Sequence, residues 1–329
     1  MTVIVITITN KLNLWEKKLT TKSLSIIVPV YNEEVAIPIF IDAVQQNMRK
    51  MPELEVSFWF IDDGSTDKTI DILENVSHQD PLIHYIEFSR NFGKEAALYA
   101  GLQHAKGDYL AVMDVDLQDP PELLPEMLQD VMSGKWDSVG SRRTNRDGEA
   151  HLRSFFSDLF YWLINKVSDT KLVKGARDYR VMTRQMVDAI LSMTEYNRFS
   201  KGIFSWVGFK TKYLEFENVD RVAGNTSWSF MSLFRYSIEG IINFSTIPLD
   251  LVIATGLVTF FASIIGIIVI IIRALIFPNT AVFGWPSLVV IILLIGSIQL
   301  LSIGVIGRYI SGIYKEVKHR PIYIARRIK

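Results

Sequence analysis

The 329 residues include no cysteine and carry no net charge at pH 7, and two long stretches hold no charged residue at all. Without cysteine there are no disulfides and no thiolate metal sites, and the redox compartment is left open. With 35 basic against 35 acidic residues there is no basic excess of the kind a nucleic-acid binder of this size shows, so no nucleic-acid partner is expected. The apolar run Val3 to Ile8 is too short for a signal peptide and lacks its basic leader. Residues 1–22 read as an N-terminal extension.

The charge-free stretches are membrane-like. Leu251 to Ile272 gives 22 residues and Ser287 to Gly307 another 21, each matching the ~20 apolar residues that cross the hydrocarbon core. Between them, Arg273 to Pro286 holds one basic residue, whereas Arg308 to Lys329 holds Arg308, Lys315, Lys318, Arg320, Arg326, Arg327 and Lys329. The positive-inside rule then predicts a two-helix hairpin over 248–310 in the inner (plasma) membrane, a basic cytoplasmic tail over 311–329, and the N-terminal domain on the same side. Gln299, with Gly296, Gly304 and Gly307, would allow close helix approach, which makes a homo-oligomer one of the expected partners alongside the bilayer. Over 225–247, Trp228, Met231, Phe234, Ile238, Ile241 and Ile242 recur near helical spacing and are interrupted by Arg235 and Glu239, as in an interfacial amphipathic helix.

Residues 23–224 read as an α/β domain. Apolar strands at Ser25–Val30, Val56–Ile61, His84–Phe88 and Tyr109–Met113 alternate with helices near Val35–Met48, Asp67–Val76 and Gly93–Ala105, the pattern of a parallel sheet with helices on both faces. In such sheets the site lies at the carboxyl ends of the strands. Tyr31-Asn32-Glu33, Asp62-Asp63-Gly64-Ser65, Arg90-Asn91 and Asp114-Val115-Asp116 all follow strands. Gly64 permits a tight turn, and Ser65, Thr66 and Asp67 read as turn and cap residues. Asp62 and Asp63 are adjacent carboxylates whose repulsion a simple turn does not require, which points to a ligand role for at least one. The Pro120-Pro121 pair ends the strand before Asp114 and Asp116, so both carboxylates can turn toward one hard cation, Mg²⁺ or Mn²⁺, completed by a substrate's phosphates. Asp119, just before the prolines, reads as a helix cap.

Five ordered segments, SIIVPVYNEE (25–34), IDDGSTDKT (61–69), SRNFGKEAAL (89–98), MDVDLQDPPE (113–122) and VGSRR (139–143), together resemble glycosyltransferase family 2, and within it the dolichyl-phosphate mannose synthase and bactoprenyl-phosphate glucosyltransferase branch. The resemblance runs from Lys22 to about Glu239, and the two C-terminal spans match the bacterial members. It implies a GT-A (Rossmann-like) fold that moves a sugar from a nucleotide-sugar to a polyprenyl phosphate. By that resemblance Pro29, Tyr31, Glu33 and Asp62 take the nucleobase and ribose, with Asp63 beside them, and Lys94 reaches the pyrophosphate. Asp114, Asp116 and Gln118 surround the metal. Arg142, together with Arg153 and Ser157, which are spaced to share a helical face, holds the acceptor phosphate, and Arg221 sits on a loop that closes over the diphosphate. Asp178, in GARDYR, matches an acidic position of the bacterial branch; as sugar-orienting group, base, or partner of Arg177 or Arg180 its role is open. Polymerising relatives carry Gln-x-x-Arg-Trp where this chain has Glu195-Tyr196-Asn197-Arg198-Phe199, which argues against processive synthesis.

The expected reaction is therefore inverting, metal-dependent transfer from a UDP-sugar to undecaprenyl phosphate at the cytoplasmic face. Glucose leads among the sugars, with galactose, mannose and modified arabinose open. Transfer to another membrane lipid is the competing enzyme reading, and a component that carries a lipid-linked sugar across the membrane is the competing non-enzyme one.

Overall fold

In a computed structural model the described residues are 22–144, 165–166, 173–217, 242, 245–276 and 284–329. An eight-stranded sheet forms the centre, in the order β7-β5-β6-β4-β1-β2-β3-β8. The strands are β1 (Ser23–Val30), β2 (Glu55–Asp62), β3 (Ile83–Phe88), β4 (Tyr109–Val112), β5 (Ser138–Arg143), β6 (Ala176–Thr183), β7 (Thr211–Phe216) and β8 (Ala325–Ile328). The helices are α1 (Ala36–Met48), α2 (Thr69–Gln79), α3 (Lys94–His104), α4 (Leu124–Met132), α5 (Arg184–Ser192), α6 (Ser200–Trp206), α7 (Ile247–Ile276) and α8 (Trp285–Val317).

β1 lies between β2 and β4, parallel to both, and β3 continues the parallel run. Being covered on both faces, β1 reads as a continuous apolar segment, LSIIVPV, without a polar alternation. One face packs under α1, whose Ile37, Phe40, Ile41, Val44 and Met48 fall at helical spacing. Phe40 meets Phe58 and Phe60 edge-on, with ring centroids 6.5 and 6.2 Å apart. Under the other face lies α3, where Gly101 lets the helix come close: a Cβ there would sit 2.3 Å from Cγ2 of Ile27. These two apolar clusters, one per face, flank the strands, and the loops that follow β1–β4 meet at their carboxyl ends, the rim of the sheet.

The alternation expected from the sequence holds for β1 to β4 and then changes. β6 runs antiparallel to both β4 and β5, and β8 antiparallel to β3, so the sheet is mixed.

α7 and α8 are long and apolar enough to cross a membrane, over Ile247–Gly266 and Ile291–Val317. Leucine, isoleucine and phenylalanine side chains lie exposed along both, including Leu257, Phe260, Ile265, Leu293, Leu301 and Ile303. Their hydroxyls are satisfied internally: Thr255, Thr259, Ser263, Ser297 and Ser302 each donate to the carbonyl one turn back. The tail beyond 310 differs from the separate basic segment the sequence suggested. α8 runs on to Val317, and β8 then adds to the open edge of β3, where Glu87 accepts from Arg326 at 3.1 Å and from Arg327 at 2.6 Å. Tyr323 stacks on Phe88 at 4.9 Å. Its basic residues are thus partly consumed by a buried glutamate, a pairing that local charge patterning does not reveal. The expected interfacial helix (225–247) lies mostly outside the described residues.

Candidate active site

Four loops meet at the rim. After β1, Asn32 adopts a left-handed backbone (φ 56°), and it is stitched to the loop after β2: its N–H donates to Ser65 Oγ at 2.9 Å and its side-chain oxygen accepts from Thr66 N–H at 2.8 Å. Glu33 N–H donates to Thr69 Oγ1 at 2.8 Å. Asp67 accepts from Thr69 N–H at 3.0 Å in the turn before α2, whose N-cap is Lys68 with no side-chain cap. Pro29 is half-buried near the end of β1, Val30 after it is buried, and Tyr31 beyond the strand is exposed.

Asp62 and Asp63 point to different partners. Asp62 is buried and accepts from the Ser65 N–H at 3.1 Å and from the Ser65 hydroxyl. Desolvation raises its pKa against the pull of those donors. Asp63 accepts from Phe92 N–H at 2.6 Å and Gly93 N–H at 2.9 Å, so its carboxylate organises the Arg90–Lys94 loop. Burial pushes it up to about 6, outweighing the two backbone donors. Gly64 (φ +72°) brings the two loops together; a Cβ there would lie 2.6 Å from the Arg90 carbonyl carbon.

Lys94, the first residue of α3, bridges two carboxylates: Nζ is 2.7 Å from Asp114 and 2.9 Å from Asp178. Burial opposes its charge, but Asp114 and Asp178 together hold its pKa above the usual lysine value. Asp178, in β6, is kept well below the usual carboxylate range, because Lys94 and Lys201 overcome the cost of its burial. Asp116 is nearly buried and accepts from Gln118 N–H at 3.2 Å, a bond that closes the turn in which Leu117 takes a φ of 54°. The structure therefore brings Lys94, Asp114, Asp116, Gln118 and Asp178 to one place, next to the Asp62–Asp63 loop.

Asp119 is not a helix cap. Pro120 precedes the 3-10 turn Pro121–Leu123, which has no side-chain cap, and the buried Asp119 carboxylate instead takes the Nε of Arg177 at 3.0 Å. The sequence reading missed this pair because its members are 58 positions apart. Arg180, expected only as an alternative partner of Asp178, lies with its guanidinium over the Phe204 ring at 3.9 Å, and Glu95, which the sequence did not mark, accepts from Ser200 N–H at 2.9 Å. Arg142 stands at the edge of this group, donating through Nε to the Lys174 carbonyl at 3.1 Å and lying 3.6 Å from Glu215. Arg153, Ser157 and Arg221 lie outside the described residues.

Hard oxygen donors at Asp114, Asp116 and Gln118 suit a divalent cation of the Mg²⁺ or Mn²⁺ kind. Among the described residues no three acidic or histidine side chains converge as a ready metal cage.

The chain was compared with known proteins. The profile of glycosyl transferase family 2 matches residues 25–191. A prophage bactoprenol glucosyl transferase homolog of Escherichia coli K12 is 43% identical over 306 residues, 93% of this chain and 99% of that protein. The bactoprenol glucosyl transferase of Shigella phage SfV is 42% identical over 306 residues, covering 93% and 99%. Among solved structures, a Pyrobaculum calidifontis mannosyltransferase in complex with GDP-Man and Mn²⁺ aligns over 70% of this chain and 69% of its own, at 17% identity and a TM-score of 0.48. The family 2 profile over residues 25–191 and 43% identity over 93% of the chain show that this protein, with its mixed GT-A sheet, belongs to glycosyltransferase family 2.

Proposed function

We propose that the protein transfers glucose from UDP-glucose to a polyprenyl phosphate, with inversion at the anomeric carbon. The observation that carries this reading is the similarity, over more than nine-tenths of the chain, to proteins named bactoprenol glucosyl transferase. The rim supplies what the reaction needs. Pro29, Tyr31, Glu33 and Asp62 border the place of the uridine, with Asp63 behind them shaping the loop that presents Lys94. Asp114, Asp116 and Gln118 would hold Mg²⁺ or Mn²⁺, which when bound supplies neutralising charge for the departing diphosphate.

A phosphate monoester is largely ionised at pH 7, its second pKa being about 6, so the acceptor needs no strong base. Its oxygen attacks the anomeric carbon from the side opposite UDP; the new C–O bond forms as the old one breaks, and that electron pair leaves on the diphosphate. An α-linked donor gives a β-linked product. Asp178, locked to Lys94 and kept ionised, is suited to accept a hydrogen bond from a sugar hydroxyl and poorly suited to take a proton. Arg142, with Arg153, Ser157 and Arg221, would receive the acceptor and close the site.

α7 and α8 would form the hairpin that fixes the catalytic domain (23–224) to the cytoplasmic side of the inner membrane, with 225–247 lying in the interface and association between copies left to the span faces. The test is incubation of purified full-length protein with undecaprenyl phosphate, Mn²⁺ and a panel of nucleotide-sugars. Glucosyl-phospholipid formed from UDP-glucose is expected. Equal turnover with GDP-mannose, or transfer to diacylglycerol in its place, would overturn the assignment.

A further inference from the structure

The Asp119–Arg177 pair is built in an unusual way. A structural arginine–carboxylate pair commonly closes as a two-pronged fork, with both oxygens engaged. Here Asp119 Oδ1 takes only the Nε of Arg177, and Asp119 Oδ2 is buried without a partner. Neither terminal nitrogen of Arg177 has a hydrogen-bond partner among the described residues, although its side chain is only 29% exposed. A guanidinium has five N–H donors; with Nε taken by Asp119, those on the two terminal nitrogens of Arg177 remain for water or a ligand.

Position says which ligand. Arg177 lies at the start of β6, next to Ala176, which pairs with Arg142 across the β5–β6 register. Asp114 and Asp178 lie within electrostatic reach, so Arg177 flanks the acidic loop while Lys94 engages the same two carboxylates directly. The loops proposed for the nucleotide all follow β1, β2 and β3, the other half of the sheet. Lys94 is already engaged by two carboxylates, whereas the terminal nitrogens of Arg177 have no hydrogen-bond partner among the described residues.

Resting on the proposed function, we infer that Arg177 binds the phosphate group of the lipid acceptor through its two terminal nitrogens, with Asp119 as the buried anchor that holds the guanidinium in place. Nε is taken by the anchor, and the planar edge that remains matches two oxygens of a phosphate monoester.

The test uses the full-length protein with undecaprenyl phosphate, UDP-glucose and Mn²⁺, with transfer kinetics and calorimetric binding of UDP measured in parallel. Arg177→Ala is expected to raise the acceptor KM by at least about tenfold, the scale of a lost charge-assisted hydrogen bond, and to leave UDP affinity within about twofold. Arg177→Lys keeps the charge without the fork and should recover the acceptor KM only in part; it also carries the test if the alanine variant fails to fold. Asp119→Asn, which weakens the anchor, should raise the acceptor KM less than Arg177→Ala does. An unchanged acceptor KM in the Arg177 variants, or a parallel loss of UDP affinity, overturns this inference alone. A wild type that binds UDP-glucose and transfers nothing to undecaprenyl phosphate overturns the proposed function and this inference together.

Discussion

Replacing Asp63 by asparagine separates the two consequences of its burial. The side-chain oxygen can still accept from Phe92 and Gly93, so the loop keeps its shape, but the titrating group is gone. Between the ordinary Asp value of 3.8 and about 6 the folded chain holds a proton that the unfolded chain has released, so stability falls as pH rises through that window. The span corresponds to roughly 3 kcal/mol at 1.36 kcal/mol per unit. Asp119, also pushed up to about 6, acts with the same sign, and Asp178, held low, acts with the opposite sign at more acidic pH. Denaturant melts from pH 4 to 6.5 should show a shallower decline for Asp63→Asn than for the wild type; an unchanged slope would mean that Asp63 is ionised throughout. Asp116→Ala, by contrast, should leave the melts nearly unchanged and abolish sugar transfer under saturating Mn²⁺, and substantial residual turnover would remove Asp116 from the metal site. At this scale the sequence was readable in short motifs: Lys94 does meet Asp114, and Asp63 holds the loop that carries Lys94. What could not be read were partners distant in sequence. Lys94–Asp178 and Asp119–Arg177 each join α3 or the β4 loop to β6, and nothing local in either segment announces the other.

Among the elements, α3 depends on a close approach to the sheet. In an exposed helix interior, glycine to alanine would stabilise by about 1 kcal/mol. At Gly101 the new methyl would meet Ile27 Cγ2 at 2.3 Å and Ile61 Cδ1 at 2.8 Å, both on fully buried side chains. Gly101→Ala is therefore expected to lower stability by about 1–3 kcal/mol, the usual cost of overpacking, in the same denaturant melts. Because α3 begins at Lys94, a displaced helix should also weaken UDP binding. The strands and helices of the first half were legible because each is a local pattern: period 3.6 in α1, an unbroken apolar run in β1, Gly64 at a turn. The antiparallel β6 was not, since direction within a sheet is set by the connection between strands and leaves no mark on the strand itself.

For the molecule as a whole, the absence of cysteine makes membrane topology directly measurable. A single cysteine at Asn279, in the connector between the spans, should react with a membrane-impermeant maleimide in intact cells. One at Arg320, beyond α8, should react only after permeabilisation. The reverse result would place the catalytic rim outside, where nucleotide-sugar is not supplied. The spans were evident from the sequence, being long and free of charge, but the destination of the chain after them was not. The order of synthesis gives β8 a consequence of its own. β3 is an edge strand until residues beyond both α7 and α8 have been made, so during translation the nascent domain displays an unpaired strand, a template for joining another chain. Completion of the sheet thus waits for both long apolar helices, so the domain made first is finished last. An excised fragment ending before Ile247 would keep that edge open permanently, and it should self-associate where the full-length protein does not.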